Sequence, residues 1–114
     1  MPYISINTSL KLSVDQKEKI KAELGRLISI IPEKTEAGTI VDFSDDRTIY
    51  KAGEKREIAF IELRIFRECD FEYKKKFTEE TFSMLSRELG LKIENMSLNI
   101  LVFNNWGTGG TLRE

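Results

Sequence analysis

The sequence predicts one α/β (α+β) domain over residues 1–114, with two βαβ repeats forming a four-stranded mixed sheet and two helices on one face of it. Three observations carry this. The order strand, capped amphipathic helix, strand occurs twice along the chain. Each helical stretch is long enough to cross over between parallel strands, which need a connection of a dozen or more residues, and such crossovers are right-handed. A length of 114 residues is that of one domain and is enough to bury about two thirds of the surface of the unfolded chain.

The first element is a strand over residues 2–8. Ile4 and Ile6 fall to one side and Tyr3, Ser5 and Asn7 to the other, the period of a half-buried strand. Ser13 followed three residues later by Gln16 is a capping box. Beyond it Val14, Ile20, Leu24, Leu27, Ile28 and Ile31 form a broad apolar stripe, a helix of about 17 residues by its 3.6-residue period that ends by Pro32. Residues 34–38 read as a loop, and the β-branched run Thr39–Phe43 as the second strand. Ser44–Arg47 is turn chemistry, Thr48–Lys51 a short edge strand, and residues 52–56 a polar loop with Gly53 as its permissive residue.

The second repeat opens with Glu57–Phe66. Ala59, Ile61, Leu63 and Ile65 form one apolar face; Ile58, Phe60, Glu62, Arg64 and Phe66 form the other, apolar at its ends and charged in the middle. That mixed face suits a subunit interface or a channel lining better than open solvent. A helix runs from about Phe71 to Leu89, with Asp70 as N-cap and Gly90 at the C-terminal capping position. Its stripe is Phe71, Lys75, Thr78, Phe82, Leu85 and Leu89, flanked by Phe77, Thr81 and Met84. Met96–Phe103 is the last long strand, and the Gly-rich residues 104–110 are a loop or short ribbon. No third helix covers the second face of the sheet, so other subunits are expected to do so.

Composition narrows the function. Eighteen basic against 19 acidic residues leave none of the basic excess of a nucleic-acid binder or a polybasic membrane anchor. No run is long and apolar enough for a membrane span, and no signal peptide precedes the first strand. Cys69 is the only cysteine, so no internal disulfide forms and a cytoplasmic location is expected, non-classical secretion remaining open. There is no histidine, which removes the commonest general base and metal ligand together. No metal site and no cofactor is expected. An enzyme built from this chain draws its base from a carboxylate, a lysine, a tyrosine or the terminal amine.

Pro2 makes that last option concrete. Removal of Met1 leaves a secondary amine on a rigid ring at the end of a strand. A free α-amine titrates near ~8, an apolar pocket lowers that value, and a pKa near working pH suits a group that takes a proton and returns it. Cys69, beside Asp70 at a helix start that could lower its pKa, reads as structural. Gly107, Gly109 and Gly110 lack the strand–loop–helix order of a phosphate loop.

Met1-Pro2 before an alternating strand, Ile6-Asn7-Thr8, the two βαβ units and the C-terminal region from Asn99 through Asn104-Asn105-Trp106-Gly107 resemble the tautomerase superfamily, on the branch of macrophage migration inhibitory factor and D-dopachrome tautomerase. The resemblance implies a homotrimer with three sites at subunit interfaces and no cofactor. It implies Pro2 as catalytic base and acid in keto–enol exchange of phenylpyruvate-like or other α-keto acids. It further implies Lys34 as the anion-binding residue, and Tyr3, Ile65, Phe66, Asn99 and Trp106 as walls of the substrate pocket. The chain departs from the family at Ser97, where a pocket tyrosine is expected, at Phe66, where a small apolar residue is expected, and at Ile58 and Ile61, in the region of a missing Cys-x-x-Cys motif. The alternatives are an interaction protein of cytokine type with a vestigial pocket, an isomerase of hydroxymuconate-type products, and a ferredoxin-like binding domain without catalysis.

Overall fold

The computed structural model describes residues 1–114. Its elements in order are β1 (Tyr3–Thr8), α1 (Val14–Leu27), β2 (Ile40–Ser44), β3 (Tyr50–Lys51), β4 (Glu54–Lys55), β5 (Ala59–Phe66), α2 (Phe71–Leu89), β6 (Met96–Phe103), β7 (Trp106–Thr108) and β8 (Thr111–Arg113). Four strands form the main sheet in the order β2-β1-β5-β6. β1 pairs with β2 in parallel and β5 with β6 in parallel, while the central pair β1 and β5 runs antiparallel. The two βαβ units are therefore joined through their first strands into one mixed sheet.

The expected capping box closes α1: the Gln16 N–H donates to Ser13 Oγ at 3.0 Å, and the Ser13 N–H donates to Gln16 Oε1 at 2.8 Å. A 3-10 turn over Ile28–Ile30 carries the helix on toward Pro32. Asp70 stands at the N-cap of α2, but its carboxylate caps no amide. The neighbouring Glu68 carboxylate instead accepts from the Cys69 N–H and the Lys74 ammonium. Gly90 ends α2 at φ 69°, a left-handed conformation that an L side chain resists, with its N–H bonded to Ser86 O.

Both helices bury their stripes against the same face of the sheet. Ile4, Ile6, Ile61, Leu63 and Ile65 meet Ile20, Leu24 and Leu27 of α1 and Phe77, Met84 and Leu85 of α2 in one buried cluster. Burial of each such side chain contributes roughly 1.5–3 kcal/mol. The buried line of α2 is Phe77, Thr81, Met84 and Leu85, rotated from the expected stripe, and Phe71 is 67% exposed. Phe71, Lys75, Thr78 and Phe82 instead border a groove toward Leu98 and Ile100 on the edge strand β6.

The helix-free face carries Tyr3, Ser5 and Asn7 of β1, in register with Arg64, Glu62 and Phe60 of β5. Phe60, Leu101 and Phe103 remain 39%, 41% and 39% exposed there. The residues expected to form an edge strand at 48–51 do not join the sheet. Tyr50–Lys51 pairs only with Glu54–Lys55, across a two-residue turn in which Ala52 and Gly53 both have positive φ. Gly109 and Gly110 make a second such turn, so the C-terminal tail is the hairpin β7–β8.

Candidate active site

The site begins at Pro2. Having no N–H, proline can stand at the end of a strand without wasting a donor, and its carbonyl accepts the Ile40 N–H at 3.0 Å, one rung beyond the β1–β2 ladder. Its ring is buried. Met1 continues outward into a cavity of about 580 Å³.

Lys34 reaches this cavity from the loop after α1. Pro32 stops the helix, Glu33 turns the chain at φ 67°, and the Lys34 N–H returns to Ile31 O at 3.2 Å. The half-buried Lys34 ammonium donates to Phe66 O at 3.0 Å. Phe66, the last residue of β5, lines the same cavity. Behind this loop, Gly25 of α1 leaves room for the Glu36 side chain; a Cβ at residue 25 would collide with the Glu36 carboxylate unless that side chain moved.

Two arginines complete the wall. Arg67 follows β5 at φ 72°, uncommon for a residue with a side chain. Its N–H donates to Phe103 O at 2.9 Å, its guanidinium lies 4.8 Å from the Phe66 ring centre, and its Nη2 donates to Glu114 O at 2.8 Å. Arg113 closes β8 opposite Trp106. Glu33 and Glu114 also border the cavity, yet Lys34, Arg67 and Arg113 have no carboxylate side chain within 4.0 Å.

Electrostatics at this end favour an uncharged amine. Burial first, then the positive charges of Lys34 and Arg113, hold the α-amine of Met1 below its ordinary pKa. The Cys69 thiol is pushed up, chiefly by burial, so the lowering considered from its place near a helix start does not occur. No three carboxylate or thiol groups converge to hold a metal ion, and no helix is long and apolar enough to cross a membrane.

Of the residues anticipated for the pocket, Lys34 and Phe66 meet at the cavity, with Pro2 buried behind Met1. Ile65 does not: it is fully buried in the core beneath the helices, because neighbours along a strand face opposite sides. Tyr3 and Asn99 lie on the helix-free face. The Tyr3 hydroxyl donates to Asp42 Oδ2 at 2.6 Å, which raises its pKa, and Arg64 sits 5.2 Å from its ring centre. Asn99 is exposed, in register with Glu62. Trp106 is half-buried, edge-on to Phe103 at 6.1 Å between ring centres, outside the cavity of its own chain. Arg67 and Arg113 escaped the sequence reading. They are far apart in the chain, and only the return of the C-terminal hairpin brings them to one cavity.

No family model matches the chain, and no curated protein matches it by sequence. Solved structures do match in fold. MIF2 of Leishmania major superposes with a TM-score of 0.91 at 20% identity, over 99% of this chain and 97% of that one. The macrophage migration inhibitory factor-like protein EhMIF of Entamoeba histolytica gives 0.85 at 18% identity, over 98% of both chains. The protein Pt0534, solved after inactivation by 2-oxo-3-pentynoate, gives 0.85 at 15% identity, over 95% of this chain and 92% of that one. The chain thus has the fold of macrophage migration inhibitory factor and the tautomerase proteins around it.

Proposed function

We propose that this chain is a cofactor-independent keto–enol tautomerase of 2-oxo acids, acting in the cytoplasm after removal of Met1. The observation that carries this reading is the meeting of the start of the chain with Lys34 at one cavity: Met1, joined to the buried Pro2, borders it beside Lys34 and Phe66. Burial with the charges of Lys34 and Arg113 lowers the pKa of the Met1 amine there, the surroundings into which removal of Met1 would bring the Pro2 amine. Inactivation of the similarly folded Pt0534 by a 2-oxo acid is in keeping with it.

In the reaction, the uncharged Pro2 nitrogen takes a proton from C3 of the keto acid. The C–H electron pair moves into the C2–C3 bond, and the carbonyl pair moves onto the C2 oxygen. Lys34 stabilises the negative charge that grows there, which is where a fixed cation helps most. The prolinium then gives its proton to that oxygen, leaving the enol and the starting amine. The rigid ring fixes the nitrogen in direction, so little entropy is lost in aiming it. With Met1 retained, the same nitrogen is a tertiary amide and no base.

The reading includes a homotrimer. Phe60, Leu101 and Phe103 form an uncovered apolar border around the Glu62–Arg64 pair on the helix-free face, which supports burial of that face against other copies. In such an assembly Tyr3, Asn99 and Trp106 belong to the wall of a neighbouring subunit's cavity.

The test is absorbance of phenylpyruvate enol–keto exchange, with removal of Met1 verified by intact mass. The processed chain should catalyse exchange, and Pro2→Gly should lose on the order of a hundredfold or more of the rate. Equal rates for the two would sink the proline mechanism.

A further inference from the structure

The amine used in the proposed reaction exists only after hydrolysis of the Met1–Pro2 bond, and the sheet restricts when that bond can be reached. β1 is an interior strand, paired with β2 on one side and β5 on the other. Both ladders begin at Tyr3, which stands opposite Ile40 and Arg64. The clamp extends one residue further: the Pro2 carbonyl accepts the Ile40 N–H at 3.0 Å, and the Pro2 ring is buried. Met1 is exposed but not loose. Its Sδ lies beside the turn Glu36–Gly38, 3.6 Å from where a Cβ on Gly38 would stand, and it borders the cavity with Lys34. An aminopeptidase has to seat the first side chain, hold the α-amine and bring the first carbonyl carbon to its attacking water. The residues that follow must extend into its cleft, so Pro2 and Tyr3 have to leave their partners. An edge strand peels away from one neighbour; an interior strand must part from two, and such local openings are sparsely populated.

We infer that the Met1–Pro2 bond is open to hydrolysis only before β1 takes its place between β2 and β5, so that folding closes the step that creates the Pro2 amine. The reaction consumes one water. Its oxygen adds to the Met1 carbonyl carbon, the C–N bond to Pro2 breaks, methionine leaves as the free amino acid, and the Pro2 nitrogen takes a proton from that water. The enzyme class that performs it is a methionine-specific aminopeptidase acting on the emerging or unfolded chain. A chain that folds with Met1 in place keeps its Pro2 nitrogen as an amide. The fraction of protein with a free Pro2 amine is then set once, by competition between trimming and folding. The meaning of that fraction for activity rests on the tautomerase reading; the closure itself rests on the sheet.

The experiment makes the full chain by cell-free synthesis and adds a purified methionine aminopeptidase either during synthesis or after the chain has folded. A peptide of residues 1–8 is the unfolded reference, and intact mass follows the loss of Met1. Chains given the enzyme during synthesis should be trimmed. Folded chains should be trimmed on the order of a hundredfold more slowly than the peptide, because several hydrogen bonds have to open together and each lowers the open population a few-fold. Ile40→Pro removes the N–H that Pro2 O accepts, at the first residue of an edge strand, where proline is tolerated. In that variant, with its fold verified by circular dichroism, trimming should speed up several-fold. The wild-type comparison stands whether or not the variant folds. Trimming of folded wild type at the rate of the peptide overturns the inference, as does a folded Ile40→Pro trimmed no faster than wild type. Enol–keto exchange by the chain trimmed during synthesis is read separately. Its absence overturns the tautomerase reading and leaves closure by folding standing.

Discussion

The Lys34 ammonium donates a 3.0 Å hydrogen bond to the main-chain oxygen of Phe66, joining the loop of the first βαβ unit to the last residue of the first strand of the second. The bond aims a cation along the end of β5, beside the place where β1 begins. Because it ends on a main-chain oxygen, the Lys34 charge stays free of any carboxylate. Lys34→Ala should lower kcat/KM for enol–keto exchange on the order of a hundredfold, the scale seen when one donor to a developing oxyanion is removed. Its effect on stability should stay near ~1 kcal/mol, that of one modest hydrogen bond. Parallel kinetics and urea titrations distinguish a functional lysine from a merely structural one.

In the chain that retains Met1, the Met1 α-amine should report its surroundings by titration. Its pKa is lowered by burial, then by Lys34 and Arg113, so replacing either cation with Gln should move it upward. The sign for stability follows. Between the lowered folded value and the ordinary value near ~8, the unfolded chain binds more protons than the folded one. Stability therefore rises with pH through that window and gains nothing further from this group above it. NMR titration of the amine, with and without Arg113→Gln, measures the shift, and an unmoved pKa would contradict the placement of Arg113 beside the terminus.

The two helix starts should differ under mutation. Ser13 is engaged in a reciprocal capping box, so Ser13→Ala should destabilise the protein by about 1 kcal/mol. Asp70 holds the equivalent position without using its carboxylate, and Asp70→Ala should change stability by less than about 0.5 kcal/mol. Denaturant midpoints of the two variants, at unchanged slope, check the contrast.

Local chemistry explains what was readable in the sequence. The Ser13–Gln16 spacing, Pro32 and Gly90 mark helix ends by mechanisms confined to a few residues, and all three act as expected in the structure. The alternation of Ala59 through Ile65 fixed the core face of β5 as well. Assigning both Ile65 and Phe66 to a pocket wall conflicted with that same alternation: in the structure the Ile65 side chain is buried in the core, and Phe66 borders the cavity. Tyr50 and Lys51 misled because their β-rich composition is equally that of a strand and of a hairpin arm; the positive φ of Ala52 decides between them. Arg67 and Arg113 had no local signal, since their proximity depends on where the β7–β8 hairpin folds back.

Ile65 and Phe66 offer a direct test of that parity. Ile65→Ala should cost about 2–5 kcal/mol, the range for a buried aliphatic side chain whose neighbours collapse incompletely. Phe66→Ala should cost less stability, because its ring is half-buried at a cavity edge. It should instead alter KM, since it removes a wall and the surface on which the Arg67 guanidinium rests. Denaturation and kinetics on both variants should show opposite orders of severity.

The helix-free face carries the last prediction. Phe60 and Leu101 project from β5 and β6 away from the core, each about two fifths exposed, on a surface that no element of the chain covers. Light scattering of the wild type should give three times the 13.2 kDa chain mass. Phe60→Asp with Leu101→Asp should shift it to the monomer, because burying two carboxylates without partners opposes association. Far-UV circular dichroism should remain native, since neither side chain is part of the core cluster. Activity should fall with the trimer, although Pro2, Lys34 and Phe66 are untouched, because Tyr3, Asn99 and Trp106 stand outside the cavity of their own chain. A fully active monomer would assign catalysis to residues of one chain and remove those three from the site.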